Sequence, residues 1–215
     1  MEDDKIVKGF DRGVDYSVMK KKLIEDVEII LGVLDTLQDT DKAYDYKKGN
    51  ILRKYIYTLI AIIQLRNGSR ISEAVNAFEQ FVAKKADLES KVTVKIAKSK
   101  ATKHKKDGEQ IVTKTRYRKM GFPTNWVGKE IKEVSNIRHF LRDYEGNINK
   151  RVLDYLSRTY KCNTHSLRYA FINYMLYDQK KEMTVVAKFV GHTGVGQLVR
   201  YTQAKESDKL FDLDI

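Results

Sequence analysis

The stretch ILRKYIYTLIAIIQLRNGSRISEA, residues 51–74, decides how the rest of the chain is read. From Ile51 to Leu65 apolar side chains fall on nearly every side of a helix, the pattern of a helix buried inside a domain. Its apolar heart, Tyr55 to Leu65, is too short to cross a bilayer, which takes about 20 residues. Asn67-Gly68-Ser69 then stops one helix and starts another. Glycine supplies the left-handed conformation that closes a helix, and Ser69 is expected to cap the next. Ile71 to Lys84 resumes helical spacing through Ala74, Val75, Phe78, Phe81 and Val82.

Upstream, Met19, Leu23, Val27, Ile30, Leu31 and Leu34 form one apolar stripe and predict a helix over 17–38. The Asp-rich stretch Asp35 to Lys48 is expected as a loop or helix end, and residues 1–16 as a loosely ordered extension. Downstream the period changes. Val92, Val94 and Ile96 alternate with Thr93, Lys95 and Ala97, which predicts a strand, and Gln110 to Tyr117 is a second extended candidate. Lys103 to Gly108 between them makes a charged hairpin loop. Helical spacing returns near 128–143, 148–160, 164–178 and 183–190. No repeat and no second domain is marked. The order predicts a mainly α domain with a small β-hairpin or sheet (α+β), spanning 17–215 with a short tail at 202–215.

Composition narrows the function. The chain has 215 residues, one proline (Pro123) and 42% apolar content, enough to bury a core. The single cysteine, Cys162, offers neither an internal disulfide nor zinc spacing. Met1 to Lys5 is acidic and polar, unlike a secretory signal, so an intracellular protein in the cytoplasm or nucleoid of a host is expected, with no membrane partner. The net charge of +12 favours a polyanionic partner. Thirteen Lys and Arg against three acidic residues lie between Lys91 and Lys132, so about one fifth of the chain carries nearly all the surplus. That suits phosphate contacts rather than a merely solvated loop, with Lys100, Lys103, Lys105, Lys106, Arg116 and Arg118 as candidates.

Four places carry candidate chemistry. Gly68-Ser69-Arg70-Ile71-Ser72-Glu73 puts an arginine at a helix start. His165-Ser166-Leu167-Arg168 puts a histidine and an arginine on one helical face. Gly191-His192 follows the apolar run Val185 to Val190, and Tyr201 comes nine residues after that histidine. Each is weak alone: the arginines suit surface salt bridges, His192 a cap or core position, and His165 a first-turn position beside a capping Thr164.

In this order and spacing the chain resembles the catalytic domain of the tyrosine recombinase (phage-integrase) family. That family carries G-x-R-x-S-E, a lysine on a β-hairpin, H-x-x-R, then G-H and a tyrosine. The resemblance runs from about Met19 to Tyr201. It implies the catalytic set Arg70, a hairpin lysine, His165, Arg168, His192 and Tyr201, with Glu73 orienting the cations from behind. Lys98 fits the lysine best, Lys100 is the alternative if the strand continues, and Lys103 is a third.

The chemistry suits those residue types. Two guanidiniums, which never lose their charge, can hold the non-bridging oxygens of a phosphodiester under attack. The resemblance implies that Tyr201 becomes joined to a DNA 3′-phosphate and leaves a free 5′-hydroxyl. The bond energy is conserved, so no cofactor and no metal are expected. The implied partners are double-stranded DNA and further copies of the chain, assembled as a tetramer on DNA. DNA integration or recombination for a virus, plasmid or other mobile element is the expected role. A type IB topoisomerase and a catalytically inactive DNA-binding relative are the alternatives.

The chain departs from the family pattern in three ways. Gln197-Leu198 stands where a threonine pair is usual, the hairpin is longer and more basic, and the 215 residues leave no room for the separate DNA-clamping domain of many relatives, so the chain is either an isolated catalytic domain or a minimal recombinase. The resemblance also suggests that Phe211 and Leu213 in the tail dock on a neighbouring protomer.

Overall fold

A computed structural model describes residues 14–36, 42–84, 88–97, 115–129, 131 and 147–199, with backbone alone at 42–47 and 84. Helices α1 (Tyr16–Thr36), α2 (Lys42–Asn67) and α3 (Ile71–Lys84) come first, followed by strands β1 (Val92–Lys95) and β2 (Tyr117–Met120). The short α4 (Thr124–Val127), then α5 (Ile148–Tyr160), α6 (Thr164–Asn173) and α7 (Met183–Phe189) complete the elements. The fold is mainly helical with one small antiparallel sheet, as the hydrophobic periodicity predicts.

Helix α2 is the axle of the domain, packed by α1, α3, α5 and α6. Every residue from Leu59 to Leu65 is at most 1% exposed, the all-round burial that its composition requires. Burying each of these leucines and isoleucines stabilises the fold by about 1.5–3 kcal/mol before chain entropy is counted. Around the axle, α1 contributes Met19, Leu23, Val27 and Ile30, while α3 contributes Ala74, Phe78 and Phe81. Two hydrogen bonds tie polar groups on these inner faces across helices. Tyr160 donates to Asp26 across α5 and α1, and Thr58 Oγ1 lies 2.9 Å from the Tyr155 hydroxyl.

Strand β1 pairs with β2 in the register Val92↔Met120, Thr93↔Lys119, Val94↔Arg118 and Lys95↔Tyr117. Val92, Val94 and Ile96 face inward, and so do Arg118 and Met120. Among the described residues the second strand overlaps the expected 110–117 only at Tyr117, and residues 110–114 lie outside them. Its inward face carries an arginine, which hides the apolar alternation that marks a strand in sequence. Helix α2 begins at Lys42, inside the stretch expected as a loop. Of the predicted 128–143 helix, only Gly128, Lys129 and Ile131 are described, and none is helical; one turn, α4, lies just before. The predicted 164–178 helix is α-helical to Asn173 and continues as a π-turn over Tyr174–Asp178. Tyr174 stacks there on Tyr16, with ring centroids 4.1 Å apart. No helix among the described residues is long and apolar enough to cross a membrane.

Candidate active site

Two helix ends build the site. Helix α2 closes in a Schellman turn: Ser69 N–H reaches Gln64 O at 3.1 Å, Gly68 N–H reaches Leu65 O at 3.4 Å, and Gly68 sits at φ +54°. Helix α7 ends the same way. His192 N–H reaches Ala187 O at 2.9 Å, Gly191 N–H reaches Lys188 O at 3.3 Å, and Gly191 sits at φ +77°. Gly68 and Gly191 are thus each the left-handed residue that ends a helix, and the arginine or histidine after it is delivered to a fixed place. A side chain on Gly68 would also collide with the Phe171 ring, and one on Gly191 would press on Ile96, with its Cβ 3.1 Å from Cδ1.

Arg168 bridges these two ends. Its Nη1 donates to Gly68 O at 2.7 Å and its Nη2 to Val190 O at 3.0 Å, with the residue only 1% exposed. A guanidinium between the carbonyl ends of two helices sits where their dipoles favour a cation. Its helix starts on a reciprocal cap. The Asn163 side chain accepts from His165 N–H at 2.7 Å and Ser166 N–H at 3.0 Å, while Asn163 N–H donates to Ser166 Oγ at 3.1 Å. Asn163, and not Thr164, is the capping residue.

Arg70 immediately precedes α3, and its carbonyl accepts from Glu73 N–H and Ala74 N–H, each at 3.0 Å. Arg70 is therefore the cap of α3. Ser69, expected in that role, is buried with its hydroxyl unpartnered among the described residues. The Glu73 side chain is 0% exposed and serves three residues. Its Oε1 accepts from Arg70 Nη1 at 3.1 Å and from Ala97 N–H at 3.1 Å, and its Oε2 accepts from Arg70 N–H and from Arg118 Nη1, each at 3.4 Å, so that Arg70, Ala97 and Arg118 are all held by it. Arg118 also donates through Nη2 to Asn67 O. Arg116 donates through Nη2 to His192 O at 3.3 Å. Both arginines, expected as phosphate contacts of the hairpin, thus turn toward the site, and Arg118 is buried in it.

Arg70, Arg118 and Arg168 outweigh the single carboxylate of Glu73. His192, buried beside them, responds: burial pushes its imidazole down to about 4, and the Arg168, Arg70 and Arg118 charges push the same way. The ring is neutral at physiological pH, so one nitrogen donates and the other accepts. Arg118 is itself lowered to about 10, by burial first; Glu73 opposes that shift and the other two arginines add to it.

The structure thus brings Arg70, Glu73, Arg168 and His192 together. His165 is exposed on the first turn of α6, one turn ahead of Arg168. Tyr201, Lys98, Lys100, Lys103, Lys105 and Lys106 lie outside the described residues, as do Phe211 and Leu213. Lys98 follows Ala97, whose N–H is tied to Glu73, and Tyr201 comes two residues after Val199. No group of His, Cys, Asp and Glu suited to a metal ion occurs among the described residues.

Two further residues hold the frame. Gln64 Nε2 donates to Ser69 O at 3.1 Å and Thr164 O at 2.7 Å, which ties the Arg70 turn to the start of the Arg168 helix. Asn67 pairs with both backbone groups of Gly121, at 3.0 and 2.9 Å, and fixes the end of β2 to the end of α2. Their signal in the sequence is polarity out of place: an amide inside an apolar helix must be buried for a partner.

Comparison with known proteins bears on this arrangement. No family model matches the chain, and no solved structure matches it. It is 45% identical over 213 residues, 98% of its length and 92% of the relative's, to a Sputnik virophage protein named "Putative integrase V10". It is 29% identical over 193 residues to the Acidianus two-tailed virus protein "Putative integrase ORF241", covering 90% of this chain and 65% of that one. An uncharacterized protein of Methanocaldococcus jannaschii is 28% identical over 220 residues, 95% of this chain and 90% of the relative. Its near full-length identity to the virophage protein places the chain in that protein's family, a family of integrase-named viral proteins.

Proposed function

We propose that the chain is a tyrosine recombinase that integrates or recombines the DNA of a virus or other mobile element. The observation that carries this reading is the cluster of Arg70, Arg168 and neutral His192, with one buried carboxylate, Glu73, paired to Arg70. Such a surplus of fixed donors suits an anion whose charge grows during reaction. The integrase names of the viral relatives agree with it.

In this mechanism Arg70, with its side chain 21% exposed, meets a non-bridging oxygen of the scissile phosphate. Arg168, fixed by its two carbonyls, adds its positive charge beside the phosphate. His192 donates from its neutral ring. Tyr201 Oη attacks phosphorus as His165 receives the phenol proton, and the P–O5′ bond breaks as Lys98 gives a proton to the leaving oxygen. The 5′-hydroxyl of another strand reverses the step and releases Tyr201. Double-stranded DNA is the substrate, and four copies of the chain on two DNA sites allow strands to be exchanged in pairs.

Covalent capture tests this. The chain is incubated with radiolabelled, nicked attachment-site DNA and run on a denaturing gel. A retarded band that Tyr201→Phe abolishes is expected. Salt-sensitive binding without any band would overturn the reading in favour of a binding protein. A band formed equally on any sequence, with supercoil relaxation and no strand exchange, would favour a topoisomerase.

A further inference from the structure

Arg118 has no counterpart among the motif residues, yet it occupies the centre of the site. It enters from β2 opposite Val94, at a position whose inward neighbours on the sheet, Val92, Val94 and Met120, are apolar. A buried guanidinium there costs solvation, and an apolar residue would serve the sheet better. Its partners are informative: Glu73 Oε2, the carbonyl of Asn67, and the face of Phe189, whose ring centre lies 5.5 Å from the guanidinium carbon.

Consider Glu73 without Arg118. Its buried carboxylate would then be ion-paired with Arg70 alone, and the pair would be close to neutral. Arg70 would also be drawn inward to share the whole carboxylate. With Arg118 on Oε2, the carboxylate is balanced from its buried side. Oε1 is left to orient Arg70 and to hold the N–H of Ala97, the residue before Lys98.

We propose that Arg118 is a positioning residue of this active site: it neutralises Glu73 from behind, so that Arg70 keeps its positive charge for the phosphate and the base of the hairpin stays pinned to α3. The proposal rests on the recombinase reading. Arg118 touches neither DNA nor the reacting atoms; it acts through Glu73. Its effect therefore falls on the cleavage step rather than on DNA affinity.

The test is single-turnover formation of the Tyr201–DNA band, beside DNA affinity and thermal melting, for Arg118→Lys, Arg118→Met, Glu73→Gln and the double variant Glu73→Gln/Arg118→Met. Arg118→Met is expected to bind DNA within about twofold of wild type but cleave roughly 10–100-fold more slowly, the scale of a displaced catalytic group. Arg118→Lys keeps the charge and should recover part of the rate. Glu73→Gln removes the carboxylate that Arg118 balances, so the double variant should cleave faster than Arg118→Met alone. Should Arg118→Met not fold, the same coupling is read by comparing Arg118→Lys with and without Glu73→Gln.

Cleavage by Arg118→Met within twofold of wild type would overturn the proposal. So would purely additive effects of the two substitutions, or an affinity loss equal to the rate loss. No band from the wild-type protein would instead remove the recombinase reading and this role with it.

Discussion

Gly68→Ala is expected to destabilise the chain by about 2–5 kcal/mol, from two separable causes. Gly68 sits at φ +54°, and an L-residue held there costs roughly 1–2 kcal/mol. A Cβ at this position would lie 2.2 Å from Phe171 Cδ1 and 2.8 Å from Cε1, so the ring must move. That ring is buried, with Tyr16 at 6.3 Å and Phe189 at 5.4 Å between centroids, and overpacking such a site costs about 1–3 kcal/mol. Gly121→Ala is the control: nothing lies within 4 Å of its added Cβ, so its unfolding free energy should change by less than about 1 kcal/mol. Urea unfolding followed by circular dichroism reads both, with a common slope. For a chain of this size about 3 kcal/mol lowers the melting midpoint by roughly 10 °C. Because the Gly68 carbonyl holds Arg168, covalent capture should fall as well. A Gly68→Ala variant as stable as Gly121→Ala would refute the account of this turn as a backbone constraint.

Two more expectations follow from the same frame. His192 has its folded-state pKa depressed from 6.5 to about 4, so the unfolded chain takes up its proton first as pH falls. Stability attributable to this residue is therefore full above pH 6.5 and is lost between 6.5 and 4, by up to about 3 kcal/mol. Wild type should lose that much more than His192→Gln over this window; parallel stability–pH curves for the two would refute it. Asn67→Ala removes the side chain that pairs with Ile63 O and with both backbone groups of Gly121, and should cost about 2–3 kcal/mol in denaturant unfolding. Loss of less than 0.5 kcal/mol, a threshold for ordinary surface changes, would mean that the end of β2 is held by other contacts.

Much of the architecture was legible because burial and periodicity are local properties. The continuous apolar run at 51–65 demanded a central helix, and residues 59–65 are buried on every side. Amphipathic spacing located α3 and α5 to the residue, because one face of each meets the core and the other meets water. Where the pattern failed, a polar residue had been recruited inward. Arg118 takes an inward position of β2, so that strand lacks the apolar alternation that marks β1. The helical start of α2 lies in a stretch so polar that it looked like a loop. Gly68, Arg70, Glu73, Arg168, Gly191 and His192 were recognisable as candidates from their order and spacing.

The sequence alone therefore determined the helical class, the central helix, the glycine that closes it and the residue types of the candidate site. Tertiary structure alone decided that Arg168 spans the carbonyl ends of two helices 22 and 100 residues away in sequence from its own position. It alone placed Arg118 behind Glu73, and made Asn163 and Arg70 the caps in place of Thr164 and Ser69. The physical reason is range. Helix and strand periodicity act over a few residues, whereas buried charges and hydrogen bonds are satisfied by whichever partners packing brings within about 3 Å, however distant along the chain.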